Sequence, residues 1–565
     1  QIQINDFAGS GPDATVTFQS LTNNISAVTL QYTSATSAAN NWVVKLNGAD
    51  YVTFRKMKIT SVGNTGLYAN VFNMENGSNN NSVVDCWLKG NSYASTSTGN
   101  FRSVVYINGL NNDNTISNNR IEGGNPSIYA YGSGTTSRLT NLTIEHNELL
   151  DHHYYGAYLY YIDGLEFNHN VITNDSAANS TYMWSALYMA YDDNFNIIGN
   201  RMGSNISNGY YYTWYMSQCV GRSNPRSLVA NNCVFSGAEG SSTYGYYGMY
   251  CTGSGQFDFY HNSLTRQGGT NGTYYPGYWT GGGLINAKNN SFVNLVSGYA
   301  LYVSGGFTVT ESDNNNFLNQ SGAPIYYGTT AYGSLEQYQQ ATGNDLHSVS
   351  TDPEWETSLN CITCNDTLNG AGVPLAAVAD DIDGSLRSLS TPDIGAMEYV
   401  TPGSFTLGGD DTLCGNSVMI ESGPAQSVAW GISVNNGATQ SYNTASVTLN
   451  AVGNNPTTFD VSVIINTLYC GTGSDQANIL LVPNASLDSS LHICADEIGT
   501  LAPGGGSSAS YAWSTGESSS SIGVTEEGTY SVVKTELGCE SEATTAVTKS
   551  TAVNVDNVEG CVADG

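Results

Sequence analysis

Short runs of alternating apolar and polar residues recur throughout the first 320 or so residues of the chain. Examples are the segments 142–145 (LTIE) and 195–198 (FNII), whose period of two predicts β-strands with one buried face. Glycine, Asn and Asp punctuate these runs, as in the segment 111–114, and such residues suit tight turns. No amphipathic helical pattern of useful length interrupts the series. The pattern therefore predicts an all-β chain of short strands.

A short phrase, an Asn followed two residues later by an apolar residue, recurs at intervals of 23 to 34 residues. A single repeat of this length cannot bury enough apolar surface to fold alone, so successive copies must stack as a solenoid and align like residues in ladders. We expect each Asn to bond a neighbouring backbone group and the Asn of the adjoining coil, because a residue present on every rung cannot form one unique active site. The predicted structural ladder consists of Asn119, Asn147, Asn170, Asn200, Asn232, Asn262, Asn290 and Asn315, with Asp85 as a variant.

The composition indicates the class of partner. The chain has 565 residues, enough for several folded units, and its 47 acidic and 16 basic residues give a net charge of -31. This charge excludes nucleic acid as a partner and repels acidic polysaccharides unless cations bridge the like charges. No run of 18 apolar residues is present, so no membrane insertion is expected. The chain begins with Gln1 and not Met, which suggests that a signal peptide has been removed.

Several phrases resemble a known group of proteins. The segments 47–59 (NGADYVTFRKMKI), 155–172 (YGAYLYYIDGLEFNHNVI) and 312–317 (SDNNNF) resemble the right-handed parallel β-helix repeat proteins of Bacteroidota cell surfaces. The segments 335–355 and 381–399 look like the closing region of that group. The resemblance covers about residues 1–400 and implies a pectate-lyase-like solenoid. It also implies a secreted, cell-surface protein with a role in adhesion, of the kind exported by type IX secretion.

Beyond residue 400 the pattern changes to two smaller modules. Cys414, Trp430 and Cys470 give a Cys, Trp, Cys arrangement across strand-like segments, which indicates an immunoglobulin-like (Ig-like) β-sandwich. A second module repeats the theme from Cys494 through Cys539. We therefore predict a Cys414–Cys470 disulfide and a Cys494–Cys539 disulfide. A local Cys361–Cys364 disulfide is also expected, since no second ligand pair lies at zinc spacing, and Cys561 is left unpaired.

These patterns divide the chain into an ordered series of regions. The predicted regions are an N-terminal cap with the first strands (1–45), the parallel β-helix (46–320), a C-terminal capping region with a short helix (321–400), two Ig-like β-sandwiches (401–485 and 486–555) and a tail or linker (556–565).

Aromatic residues fall at comparable places in successive coils and predict a ladder on one face. An exposed strip of this kind stacks on sugar rings or packs against another subunit, because aromatic rings combine large apolar area with polar tips. The alternative is that half of these rings fill the coil or only stack on one another. The candidate binding residues are Tyr129, Tyr131, Tyr158, Tyr160, Tyr188, Tyr191, Trp214, Tyr215, Tyr250, Tyr278, Trp279 and Tyr302.

Signals for catalysis are weaker. Asp192 and Asp193 are the only adjacent acidic pair in the coils, and the simpler interpretation is a corner of the chain. The basic residues that a lyase needs do not cluster with acidic residues. His152 and His153 are read as a solvated turn rather than a metal or proton-transfer site. A polysaccharide lyase or glycoside hydrolase on a β-helix scaffold is therefore the alternative and not the leading hypothesis.

One acidic segment, residues 380–384 (DDIDG), has the DxDG spacing of a calcium loop, with Asp381 and Asp383 as candidate ligands. It lacks the distal bidentate Glu of an EF-hand, so a plain turn is the alternative. No other cofactor is expected. Together the patterns predict a non-catalytic extracellular surface or matrix protein, adhesin-like or self-assembling into filaments, whose partners are glycans or other copies of itself.

Overall fold

The computed structural model describes residues 1–550 with gaps at 34, 64–67, 92–100, 175–182, 205–209, 237–245, 267–272, 356–360, 400, 402–406, 408–409, 423–424, 426 and 468–469. The chain divides into two compact units, residues 1–399 and 400–565, each described here by itself. Within the described residues, no helix is long and apolar enough to cross a membrane.

The first unit is a parallel β-helix built from three sheets, to which successive coils each contribute one strand. Sheet 1 consists of Ile2–Asn5, Val44–Asn47, Phe72–Glu75, Val105–Asn108, Ile128–Tyr131, Tyr155–Tyr160, Met183–Ala190, Tyr210–Ser217, Tyr246–Thr252, Thr273–Thr280, Leu301–Val303, Ile325–Tyr327 and Thr330–Tyr332, with Ser297–Gly298 beside Thr273–Thr280. Sheet 2 consists of Val16–Gln19, Val52–Arg55, Ser82–Val84, Thr115–Ser117, Thr143–Glu145, Glu166–Asn168, Asn196–Ile198, Ser227–Ala230, Phe257–Tyr260, Gly283–Lys288 and Phe307–Asp313. Sheet 3 consists of Thr29–Thr33, Lys58–Val62, Trp87–Lys89, Arg120–Glu122, Glu148–Leu150, Val171–Asn174, Arg201–Ser204, Cys233–Ser236, Ser263–Arg266, Ser291–Asn294 and Asn316–Asn319.

The core lies inside the coils, where alternate residues of every strand point. In sheet 1 the register aligns Ile107, Ala130, Leu159 and Met189 in successive coils, and all four are fully buried. Each coil thus buries its inward side chains against the coils on both sides. Leu139–Thr140 and Ile162–Asp163 form a small additional sheet at one corner. The fold class predicted from the alternating pattern is confirmed by this architecture.

The two ends of the solenoid differ. Residues 1–33 form the first coil, with a strand in each sheet, and the 3-10 helix Ala38–Asn40 follows. At the other end, Ile325–Tyr327 pairs antiparallel with Thr330–Tyr332, and the helix Leu335–Thr342 follows. Ser334 caps this helix through a hydrogen bond from Gln337 N, and Gly343 ends it at φ 73°. Its Leu335 and Tyr338 are buried in the core, which closes the solenoid at this end.

Residues 361–399, called here the return segment, lie against the corner between sheets 2 and 3. Gly395 N donates to Asn289 O (2.8 Å), and Ala396 N donates to Ser263 Oγ (3.0 Å). A disulfide joins Cys361 to Cys233 of sheet 3. These contacts fasten the return segment to the later coils.

The second unit contains two small β-sandwiches, each with its own apolar core. The first has a sheet of Asp411–Cys414, Thr472–Val482, Thr457–Asn466, Ser427–Val434 and Gln440–Tyr442, and a pair of Ser417–Glu421 with Ser446–Asn450. The second has a sheet of Ser490–Ile493, Cys539–Lys549, Gly528–Glu536 and Ser510–Trp513, and a pair of Gly499–Leu501 with Ile522–Val524. The β-sandwich architecture expected beyond residue 400 is therefore present.

The predicted disulfide pairings are wrong in all three cases. Cys414 bonds to Cys539 and not to Cys470, and Cys361 bonds to Cys233 and not to Cys364. Side chains alternate between the two sides of a strand, and in both disulfides one cysteine points away from the core.

In the first sandwich Leu413 packs against the core while Cys414 points outward. In sheet 3 Val234 points into the core, so Cys233 points out toward the return segment. Cys364, Cys470 and Cys494 are also disulfide-bonded, and Cys561 lies outside the described residues.

Candidate functional site

The corner between sheets 2 and 3 is a two-residue turn that repeats from coil to coil. Its first residue lies in the left-handed region, as at Asn118 (φ 56°), His146 (φ 54°) and Gly199 (φ 69°). Asn and Gly tolerate this conformation better than other residues. Its second residue is the recurring Asn of the sequence phrase. The sequence pattern N-N, H-N or G-N is therefore the local signature of this turn.

Asn200 shows how one rung of the ladder is bonded. Its Nδ2 donates to Phe167 O (2.8 Å) and to Asn232 Oδ1 (2.9 Å). Its Oδ1 accepts from the backbone N (2.9 Å) and the Nδ2 (3.1 Å) of Asn170. Asn200 is fully buried, and these bonds satisfy every polar atom of its side chain within the solenoid.

The same arrangement joins all eight predicted asparagines in one row. Bonds from Nδ2 to the next Oδ1 link Asn119, Asn147, Asn170, Asn200, Asn232, Asn262, Asn290 and Asn315. At the end of the row, Asn315 Nδ2 donates to Asp345 Oδ1 (2.9 Å). The hydrogen bonds give these residues the structural role that the repeat predicts.

A second ladder runs along the outer side of sheet 1. The strand register aligns one tyrosine from each of nine successive coils, and each ring stacks on the next at 4.4–5.5 Å between centroids and 1–13° between planes. All nine rings are half-buried. This tyrosine ladder consists of Tyr106, Tyr129, Tyr158, Tyr188, Tyr215, Tyr250, Tyr278, Tyr302 and Tyr326.

Further tyrosines flank the ladder on both sides. Tyr212, Tyr247 and Tyr275 stack in a second column at 5.0 and 5.5 Å. Tyr131 and Tyr160 stack at 5.5 Å along the opposite side. The ladder together with these five residues is called here the tyrosine face.

Three of the predicted binding residues are misplaced. Trp214 and Trp279 are fully buried and belong to the core, because each lies next to an outward tyrosine in a strand whose side chains alternate between the two sides. Tyr191 lies in the turn after sheet 1, outside the ladder, and stacks on Tyr161 at 5.4 Å. The sequence analysis missed Tyr106, Tyr212, Tyr275 and Tyr326, which strict strand parity carried through every coil would have found.

The tyrosine face carries no formal charge. None of the described sheet 1 strands from Val105–Asn108 to Thr330–Tyr332 contains Asp, Glu, Lys, Arg or His. Burial raises the pKa of Tyr106, Tyr158 and Tyr188, so these phenols stay protonated at neutral pH. In a chain of net charge -31 this face is electrostatically distinct.

The two residues of the candidate acidic pair lie at the corner that follows sheet 1. Asp192 is fully buried, its Oδ1 accepts from Ile162 N (2.8 Å), and desolvation raises the pKa of its carboxyl well above the ordinary value. Asp193 instead pairs with Arg138 at 2.9 Å. The two carboxyl groups therefore lie in different environments, and both are bonded within the corner that the simpler interpretation predicts.

The histidine pair is buried, so the expectation of a solvated turn is wrong. The His152 ring is fully buried and stacks on Trp184 at 5.1 Å. Burial lowers the pKa of His152 to about 3, which keeps the ring neutral. Among the described residues, no group of three or more His, Cys, Asp or Glu side chains is placed to hold a metal ion.

The acidic DDIDG loop anchors the return segment. The Asp381 carboxylate accepts from Asp383 N (2.9 Å), Ser385 N (2.8 Å) and Glu398 N (2.9 Å). Asp383 pairs with Arg201 of sheet 3 at 2.7 Å. These bonds describe a structured turn, and calcium at Asp381 and Asp383 stays a prediction.

A buried ion pair completes the same anchor. Arg387 Nη1 lies 3.1 Å from Glu398 Oε2, and both side chains are almost fully buried. Arg387 Nη2 also donates to Asn231 Oδ1 (2.8 Å), in the turn that carries the asparagine ladder. Burial raises the pKa of Glu398 and, more strongly, of Asp393. The return segment is thus fastened to the structural corner of the solenoid and not to the tyrosine face.

Comparison with known proteins defines no family. No family model matches the chain, and no curated protein matches it. Among solved structures, the chain is similar to the N-terminal four Ig domains of Dscam1 isoform 4.44, with 14% identity over 27% of this chain and a TM-score of 0.15. The match spans about half of that chain, 47%.

Other similar structures are β-helix proteins. The tailspike protein gp49 from Acinetobacter baumannii bacteriophage Fri1, a capsular polysaccharide depolymerase, gives 10% identity over 92% of this chain and 80% of its own, with a TM-score of 0.22. The pectate lyase Pel9A gives 13% identity over 67% and 98%, with a TM-score of 0.25. Scores this low carry no argument about function. The class defined by the sheets themselves is a parallel β-helix protein with two β-sandwich modules.

Proposed function

We propose that this chain is a non-catalytic extracellular surface or matrix protein and that the tyrosine face is its contact surface. The observation that carries the proposal is the unbroken, uncharged row of half-buried tyrosines across nine coils. The disulfides Cys233–Cys361 and Cys414–Cys539 support an oxidising, extracellular setting. An adhesin-like or structural role follows from these features.

Tyrosine is well suited to contact because the ring offers apolar area and the hydroxyl offers a hydrogen bond. Large exposed patches of this composition mark interaction sites on soluble proteins. The face is also free of the acidic residues that give the chain its net charge of -31. A partner therefore meets no desolvation cost of buried charge there.

The chemistry of the described residues favours a non-catalytic role. Hydrolysis of a glycosidic bond needs two carboxyl groups placed on either side of the substrate. The described sheet 1 strands from Val105–Asn108 to Thr330–Tyr332 provide none. Of the adjacent acidic pair, Asp192 is buried and Asp193 is held in an ion pair with Arg138. A polysaccharide lyase or hydrolase is the second candidate, and the assay below distinguishes it.

The test combines turnover and association with the full chain. Neutral and acidic polysaccharides are incubated with the protein, with calcium and with chelator, and new reducing ends or unsaturated products are measured. Association with the polysaccharides and with other copies is measured by sedimentation. The contact-surface variant is Tyr188→Lys with Tyr250→Lys, and the matched control is Tyr442→Lys, which replaces an exposed tyrosine of the second unit.

We expect no product, and we expect association that the double variant loses and the control keeps. Release of products by the wild-type protein would contradict the non-catalytic role. Equal association of the double variant and the control would contradict the assignment of the tyrosine face.

A further inference from the structure

The stacking of the tyrosine ladder restricts what its partner is. Each ring lies nearly parallel to the next, at 1–13°, so the faces of the rings are covered by their neighbours along the ladder. A sugar ring that stacks on an aromatic side chain needs an uncovered face. The tyrosine face instead presents ring edges and hydroxyl groups, which suit a broad and regular surface better than a single sugar chain.

The spacing of the ladder also selects its partner. Neighbouring strands in a sheet lie about 4.7–4.9 Å apart, so the hydroxyl groups repeat at about that interval along the solenoid. Another parallel β-helix has the same period, because the same backbone hydrogen bonds set it. The tyrosines of a second copy of this chain therefore stay in step with those of the first over all nine coils.

Charge favours a second copy at this face. Two chains of net charge -31 repel each other over most orientations. The tyrosine face is a long strip where neither copy carries a formal charge, since its strands contain no acidic or basic residue. Face-to-face approach at this strip keeps the acidic residues of the two copies away from the contact.

The area is adequate for a specific dimer. Eight intervals of about 4.8 Å give a face about 38 Å long. Its strands have mostly 4 to 8 residues, which at about 3.3 Å per residue gives a width of roughly 13–26 Å. The product, roughly 500–1,000 Å², includes the ~800 Å² that each partner buries in a standard protein interface. The helix Leu335–Thr342 covers the C-terminal end of the solenoid, so a second copy cannot stack on that end. The tyrosine face lies on the side of the solenoid and stays accessible to a second copy.

We propose that two copies of this chain pair side by side through their tyrosine faces, with the solenoid axes antiparallel. The proposal rests on the proposed function, and it names the partner of the contact surface. A two-fold axis makes the contact self-complementary, so the first tyrosine of one ladder meets the ninth of the other. Tyr215, the fifth of nine, then lies beside its own counterpart.

The pairing of ladder positions across the two-fold axis can be tested by disulfide crosslinking of the full chain. Tyr215→Cys is expected to form a disulfide-linked dimer with itself under mild oxidation. Tyr129→Cys and Tyr302→Cys, the second and eighth positions, are each expected to stay unlinked alone and to crosslink when the two variants are mixed. Among the described residues, the free thiols Cys86, Cys219 and Cys251 are buried, so they do not contribute to the reaction, and Cys561 is replaced by Ser in every variant.

Analytical ultracentrifugation without polysaccharide provides the second measurement. The wild-type protein is expected to show a concentration-dependent dimer, and Tyr188→Lys with Tyr250→Lys is expected to weaken it by about 100-fold or more, corresponding to about 2.8 kcal/mol. Tyr442→Lys is expected to leave it unchanged. Thermal unfolding of each variant confirms that the fold is retained.

Two results would overturn the pairing. A wild-type chain that remains monomeric at all concentrations, while its tyrosine face binds a neutral polysaccharide, would reject the second copy and leave the contact surface intact. A dimer that the double lysine variant retains would place self-association elsewhere. Failure of the proposed function is distinct, since it appears as product formation or as association that no ladder substitution changes.

Discussion

The solenoid carries two ladders of identical residues, and they differ in how their polar atoms are used. Each buried asparagine, such as Asn200, has its amide donor and acceptor satisfied by the coils on either side. Each tyrosine, such as Tyr215, packs by ring stacking and remains half-exposed. The difference teaches that repetition alone does not indicate function. The asparagine side chains are buried inside the solenoid, while the tyrosine rings reach its surface, so only the second ladder is accessible to a partner.

The largest expected effect is on the asparagine ladder. Replacing Asn200 by Leu removes the acceptor of the Asn170 backbone N–H and the side-chain donor to Phe167 O. It also removes one of two bonds at Asn170 Nδ2 and one of two at Asn232 Oδ1. At about 1–3 kcal/mol for each of the first two groups and about 1 kcal/mol for each of the other two bonds, we expect a loss of about 4–6 kcal/mol of unfolding free energy. Chemical denaturation of the first unit measures it.

The control for Asn200→Leu is a substitution in the tyrosine ladder, Tyr250→Phe. Tyr250→Phe removes only a hydroxyl from a half-exposed ring, and we expect a change within about 0.5 kcal/mol. Equal destabilisation by the changes at Asn200 and Tyr250 would contradict the comparison.

The second prediction concerns the anchor of the return segment. Arg387→Met leaves the buried carboxyl groups of Glu398 and Asp393 without their cation, and we expect a loss of about 3–5 kcal/mol. Because Arg387 contacts the asparagine corner through Asn231, self-association at the tyrosine face should not change. Arg120→Met, which removes exposed ion pairs, is the control and should cost no more than about 1 kcal/mol. Denaturation and sedimentation together test both statements.

The third prediction uses the pKa of the ladder tyrosines. Desolvation raises the pKa of Tyr106, Tyr158 and Tyr188 above the value of about 10 that unfolded tyrosine has. The folded state therefore holds these protons more tightly. The stability that these raised pKa values contribute to the folded state is fully present below about pH 10. It is lost as the pH rises through the pKa values of the folded state.

Tyrosinate absorbance against pH measures this shift, with the denatured chain as the reference. We expect a fraction of the tyrosines to ionise only at higher pH in the folded chain, and we expect dimerisation to persist up to about pH 10. Ionisation of every tyrosine at the pH seen in the denatured chain would contradict the buried, uncharged ladder.

The fourth prediction concerns Asp192, a buried carboxyl group outside both ladders. Its raised pKa means that stability is highest when it is protonated and falls as the pH rises above about 3.9, the unfolded value. Asp192→Asn should remove that loss, so the variant should be more stable than the wild-type protein at neutral pH and similar to it in acid. A stability difference that does not vary with pH would contradict this cause.

The asparagine ladder could be predicted from the sequence because each of its residues belongs to a short local motif, a turn residue followed by Asn. The tyrosine ladder could be predicted only in part. Trp214 and Tyr215 are neighbours, and only the strand register decides which of them points outward.

The disulfides could not be predicted at all. The partner of Cys233 is 128 residues away on a return segment whose path depends on the folded solenoid. Local patterns therefore determine the turns, while contacts between distant segments need the three-dimensional arrangement.

The two-residue corner has a consequence for how such a chain changes over time and how it is engineered. Successive rungs are separated by as few as 23 residues and as many as 32, yet the ladder bonds stay at 2.9–3.1 Å. The variation is accommodated in the other two connections of each coil. Between sheet 3 and sheet 1 there are four residues after Leu150 and eight after Asn174, and between sheet 1 and sheet 2 there are three after Val303 and eleven after Tyr131. Insertions at these two corners leave the register untouched. The solenoid is therefore a scaffold on which new loops can be inherited or grafted, one coil at a time.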